Sequence, residues 1–143
     1  MLIGFGALVV VVGVSITMVL FPRGLRGPET VAQNFFYALL QAPDDAARLR
    51  AAAHLDESDD PQTLVEGLST RIALDFLRTR VVQGAAYNVD VADSRRSAAE
   101  RYYVVLRVVE RAGDDASLTR RFAVTLQKAE NGDWRIATLT LIE

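Results

Sequence analysis

The chain has 143 residues, 16 of them basic and 18 acidic, for a formal charge of −2. That length suits one small domain, and the interspersed charges exclude the broad basic face a nucleic-acid partner needs. There is no cysteine, which excludes disulfides, thiolate metal sites, a lipid-modified cysteine and a cysteine nucleophile.

Leu2 to Phe21 carries no charge, and 13 of its 20 residues are Leu, Ile, Val or Phe. As a helix it would be about 30 Å long, the thickness of a bilayer core. The β-branched run Val9–Val12 suits lipid, where the backbone must bond internally whatever its propensity. A cleaved signal peptide would need a basic flank ahead of the core, a shorter core and a small-residue cleavage site. None of these is present, so residues 1–21 are expected to form an uncleaved transmembrane anchor. Residues 22–27 then make a short connector, Pro22 to Gly27, that spans at most about 20 Å. A soluble domain of residues 28–143 is expected to sit directly on the lipid bilayer.

Pro28 and Glu29 mark a helix start. Val31, Phe35, Ala38 and Leu39, flanked by Phe36 and Leu40, form a broad buried stripe. Pro43-Asp44-Asp45 caps a second helix that runs to about His54, with Leu49, Ala53 and Leu55 as its inner edge. Asp60 and Pro61 predict the start of a third helix. Its expected buried stripe is Leu64, Leu68, Ile72 and Phe76, with Val65 and Leu77 beside it.

From Val81 onward the apolar period changes to two. Tyr87, Val89 and Val91 alternate with polar or small residues. Tyr102, Val104, Leu106 and Val108 share one face of a long strand, and Phe122, Val124 and Leu126 one face of the next. Asn131-Gly132 predicts a hairpin turn into Trp134-Arg135-Ile136 and a last strand. Helices first and an antiparallel meander last make an α+β domain, with about three helices packed on a curved sheet of about four strands.

This order of elements, ending in Gly132-Asp133-Trp134-Arg135-Ile136, resembles the nuclear transport factor 2-like superfamily. The resemblance covers about residues 28–143 and implies a cone in which the sheet wraps around the helices. The superfamily holds isomerases, cyclases and dehydratases beside non-catalytic binding and assembly modules, so fold does not decide function. Members with one N-terminal anchor include scaffold subunits of conjugation and type IV secretion machines, and accessory proteins of mammalian-cell-entry lipid transporters.

Candidate chemistry is sparse. His54, the single histidine, falls at a helix end where the dipole alone favours it. The acidic run Asp56–Asp60 lacks the Gly and Glu positions of a calcium loop and reads as a solvated loop with a helix cap. Tyr37, Phe76, Tyr102 and Trp134 are the candidates for lining a cone cavity. No carboxylate is expected on the inner strand faces, since Asp90 has the opposite parity to Val89 and Val91. Arg95, Arg96, Arg107, Arg120 and Arg121 are expected on the outer face, balanced by Glu100, Glu110 and Asp114. No catalytic, cofactor-binding or metal-binding residues are expected, and no cofactor.

The leading expectation is a non-catalytic, single-pass accessory or assembly subunit whose partners are the bilayer and other membrane-complex subunits. The alternatives are a small-ligand or lipid-binding module using the cone cavity, and an isomerase- or cyclase-type enzyme. Arg23 and Arg26 behind the span favour a cytoplasmic domain. The anchored relatives it resembles place theirs outside, and the expectation leans to the extracytoplasmic side of the cell membrane.

Overall fold

Pro28 sits where a first helical turn tolerates a missing N–H, behind Gly27 as N-cap and beside Glu29 at the positive end of the dipole. Helix α1, Pro28–Gln41, buries Val31, Ala32, Phe35, Phe36, Ala38, Leu39 and Leu40, the stripe its sequence predicts. The structure is a computed structural model that describes residues 27–112 and 116–143. The expected anchor Leu2–Phe21, connector residues 22–26 and Asp114 lie outside the described residues. Among the described residues, no helix is long and apolar enough to cross a membrane.

Asp45 caps the second helix as expected: its Oδ1 accepts the Arg48 N–H at 3.0 Å. Helix α2, Ala46–Ala53, turns Leu49 and Ala53 inward and ends at His54 in the left-handed region, with φ 59°.

The third helix differs from its expected course. Asp60 does cap a turn at Gln62, but only a 3-10 turn follows, Pro61–Leu64. Val65 then makes a parallel bridge to Leu139, and the Glu66 N–H donates to the Leu139 carbonyl at 2.9 Å. Gly67, at φ 76°, restarts the chain into helix α3, Leu68–Val82. This extended interruption removes the helical phase that would have tied Leu68, Ile72 and Phe76 to Leu64. Thr70, Ala73, Leu74 and Leu77 face the core instead. The Thr70 hydroxyl is satisfied there, accepting the Leu141 N–H at 2.8 Å. Leu68, Ile72 and Phe76 are 73%, 60% and 46% exposed.

Helix α3 continues past the expected change of period at Val81. Four strands follow: β1 Ala86–Ala98, β2 Arg101–Ala112, β3 Ala116–Lys128 and β4 Trp134–Leu141. They pair in sequence order, each antiparallel to the next. Val104 opposes Val124, and Leu106 opposes Phe122. The predicted inner residues of β2 and β3 therefore share one face. Register shifts at Val91/Asp93, Arg96/Ala98 and Thr125/Leu126 mark bulges, which bend and twist a sheet locally. The β3–β4 connection uses the predicted turn residues: the Asn131 side chain accepts the Asp133 N–H at 3.0 Å, and Gly132 takes φ 88°.

The helices cover the inner face of the sheet, and α1 touches all four strands. Gln33 bonds the Val89 carbonyl, Tyr37 lies against Tyr87, and Glu29 reaches Ser94. Helix α1 thus runs antiparallel to β1. The start of α1 lies beside Ser94, in the half of β1 that leads to the β1–β2 turn, and its end lies beside the start of β1 and the end of β2.

Candidate functional site

Glu110 keeps the parity of Val104, Leu106 and Val108 and therefore points inward, against the outer-face expectation. It is 2% exposed. Arg80, in the last turn of α3, donates to its Oε1 through Nε at 2.7 Å, and its Nη2 makes an ion pair with the same oxygen at 2.6 Å. Among the described residues, Glu110 Oε2 is buried without a hydrogen-bond partner. Tyr87 is the cross-strand partner of Glu110, which puts the two Cβ atoms about 5 Å apart. Its hydroxyl is also buried without a hydrogen bond. The Tyr87 ring stacks on Tyr37 with centroids 6.2 Å apart, and the Tyr37 hydroxyl accepts the Val89 N–H at 3.1 Å.

Arg80, Glu110, Tyr87 and Tyr37 thus form one polar cluster where α1 and α3 end. It closes that end of the domain and ties the last turn of α3 to β2. Acid–base chemistry needs a reacting group within reach of substrate, and Glu110 Oε2 has no open surface. A clamp is the role this geometry supports.

Burial, and after it the Tyr37 hydroxyl, raise the Tyr87 pKa above the usual 10.0, while the nearby Gln41 side chain pulls the other way. The unfolded chain then loses this proton more readily than the folded one. The stabilising contribution is complete below pH 10 and is lost as pH rises through the folded value. Tyr87→Phe removes an unpartnered buried hydroxyl. It is expected to leave stability at neutral pH unchanged or raised, by at most about 1 kcal/mol, and to flatten the alkaline limb. Urea melts at pH 8 to 11 check both.

The four cavity candidates do not gather in one place. Tyr37 belongs to the polar cluster. Phe76 lies on the outer side of α3, with the Arg80 guanidinium 5.7 Å from its ring centre. Tyr102 and Trp134 pack edge-on, 5.6 Å apart, at the opposite end of the sheet. Between the two ends, Phe36 and Phe122 meet at 4.9 Å, both fully buried.

His54 is 5% exposed, and its Nδ1 lies 2.8 Å from the Trp134 carbonyl. A carbonyl only accepts, so Nδ1 carries the hydrogen. The His54 carbonyl in turn accepts from Arg135 Nε at 3.2 Å. The residue thus pins the end of α2 to the start of β4. The acidic loop turns on itself, with the Asp56 N–H donating to Asp59. Among the described residues no three acidic or histidine side chains gather as a metal site.

The arginines expected on the outer face are divided. Arg107 pairs with Asp90 at 3.6 Å and Arg121 with Glu143 at 3.5 Å. Arg120 opposes Val108 and so takes the inner parity. Arg95 lies over Tyr103, its guanidinium 4.8 Å from the ring centre, beside an outer-face groove of about 500 Å³.

No protein-family model matches the chain, and no curated protein matches it. Among solved structures it is similar to a ketosteroid isomerase-like protein from Erwinia carotovora atroseptica. The two are 16% identical, with 86% of this chain and 99% of that chain covered and a TM-score of 0.44. The described chain is an α+β domain. Its order of elements, three helices and then a four-stranded meander, is the one the superfamily resemblance implies.

Proposed function

We propose that the chain is a non-catalytic accessory subunit of a larger membrane complex. In this reading Leu2–Phe21 anchors a nuclear transport factor 2-like domain to the bilayer, and helix α3 docks it on a neighbouring subunit. The observation that carries the proposal is the outer side of α3. Leu68, Ile72 and Phe76 stand one turn apart in a single row, exposed among the described residues, and Val82 beyond them is 87% exposed. Scattered exposed apolar residues are ordinary. A row of three on one helix is the pattern that helix-in-groove recognition uses. Burying such side chains contributes about 1.5–3 kcal/mol each.

The interior supports the same reading. Among the described residues three buried groups have acid–base chemistry: His54 and Glu110 are held in contacts that join helix to sheet, and Asp133 is held by Asn131 within the β3–β4 turn. Phe36 and Phe122 fill the middle of the cone, where a ligand-binding or isomerase-type site would have to open.

Purification of the full chain in mild detergent tests the proposal. The wild type is expected to migrate with other membrane subunits. Ile72→Glu combined with Phe76→Ser is expected to release it, with little change in melting temperature. A wild-type chain that always migrates alone, or a double variant that still co-migrates, would reject it. A wild-type peak holding only two copies of this chain would put a second copy on the row and also count against a larger assembly.

A further inference from the structure

The end of the domain where the described chain begins carries arginines that no acid among the described residues holds in an ion pair. Gly27 caps α1, and Glu29 in its first turn accepts from the Ser94 hydroxyl on β1. Arg95 and Arg96 follow Ser94 directly. Arg101 opens β2 on the far side of the Ala99-Glu100 turn. All three are exposed. Among the described residues none of them makes an ion pair, whereas Arg107, Arg121 and Arg135 pair with Asp90, Glu143 and Asp56. The acids of the same hairpin are Asp93, which accepts the Ser94 N–H, and Glu100 in the turn. Glu100 faces away from these arginines, into a second groove that it shares with Asp56, Glu130, Lys128 and Arg135, whereas among the described residues no acid lines the groove beside Arg95 and Arg101. Arg95 and Arg101 border the groove of about 500 Å³, with Tyr103, Thr125 and Gln127 along it. Its donors suit a phosphate: guanidinium forks bind phosphate oxygens bidentately, and a tyrosine suits the headgroup level of a bilayer.

Position decides which phosphate. Six residues, Pro22 to Gly27, separate the apolar stretch from α1, and they reach about 20 Å at most. We infer that the β1–β2 hairpin rests on the bilayer and that Arg95, Arg96 and Arg101 bind anionic lipid headgroups. This rests on the anchor of the proposed function. It also orients the domain. The cluster around Arg80 and Glu110, where α3 ends, lies at the opposite end of β2, so the last turn of α3 is turned away from the membrane.

The chain has no cysteine, so Ser97→Cys places a single fluorophore on the hairpin and Val82→Cys one at the end of α3. The labelled full-length chains are reconstituted in phosphatidylcholine vesicles with and without phosphatidylglycerol, each carrying a headgroup-attached quencher. The Ser97 label is expected to be quenched about twofold or more strongly when phosphatidylglycerol is present, and the Val82 label equally in both. Replacing Arg95, Arg96 and Arg101 together by Gln is expected to abolish the difference without changing the thermal melt. Equal quenching of the Ser97 label in the two vesicle types, or a triple variant that keeps the difference, would overturn the inference. Alkaline extraction of the same vesicles reads the anchor separately. Release at high pH counts against Leu2–Phe21 as a span, while the quenching ratio still scores the hairpin.

Discussion

Arg80→Met is expected to destabilise the domain by about 3 kcal/mol, the largest effect of any single change outside the apolar core. Glu110 is buried on the inner face of β2, and Arg80 holds its Oε1 through a hydrogen bond from Nε and an ion-pair contact from Nη2. Removing the guanidinium strands a carboxylate among Tyr87 and the ends of two helices. Breaking one partner of a buried pair typically costs about 3–5 kcal/mol. The lower end applies because the Arg80 side chain is itself 36% exposed, so solvent screens part of the interaction. The pair is a different quantity from the penalty of breaking it. Arg80→Met with Glu110→Leu replaces both charges by apolar volume and is expected to recover most of the loss. Urea unfolding of the full chain in detergent, followed by the fluorescence of Trp134, measures all three proteins. A single variant that costs under about 1 kcal/mol would mean that water already reaches Glu110. The clamp assigned to this end of the cone would then be wrong.

Glu110 also shows where a sequence reading stops. Its parity is plain: it stands two residues after Val108 in a strand whose Val104, Leu106 and Val108 all face inward. The reading that carboxylates belong outside overrode that parity, because the compensating partner is Arg80, 30 residues earlier and on another element. His54 has the same character. Its place at a helix end was legible, but its burial depends on the Trp134 carbonyl, 80 residues away. Short-range signals fared better. Pro28, Asp45, Asn131 and Gly132 each act within a few residues, and each does what its chemistry implies. The third helix falls between these cases. Asp60 caps a turn as a local signal should. The length of that turn is set by the Glu66 N–H bond to Leu139, which no local pattern announces. Once the chain broke there, the row Leu68, Ile72 and Phe76 lost its buried phase and became the exposed feature on which the proposed docking depends.

Phe122→Ala is expected to cost about 3–5 kcal/mol, the range for emptying a buried aromatic site. The ring is fully buried under α1, tilted at 53° against Phe36, and flanked on neighbouring strands by Leu106 and Leu141. Close-packed neighbours of that kind relax only partly into a void, so a cavity penalty adds to the lost transfer energy. Phe76→Ala is the matching control. The residue type is the same, but the ring is about half exposed, and the change is expected to stay within about 0.5 kcal/mol. Chemical denaturation of the two variants side by side removes any common effect of detergent or anchor. The ratio of the two costs then tests two surfaces together. A large Phe122 penalty means that the middle of the cone is filled by its own side chains and leaves no room for a ligand. A small Phe76 penalty means that the α3 row contributes little to the isolated domain, as a surface reserved for a partner should. A Phe122 penalty below about 1.5 kcal/mol would instead describe a core loose enough to open, and the ligand-binding reading of the cone would then have the better claim.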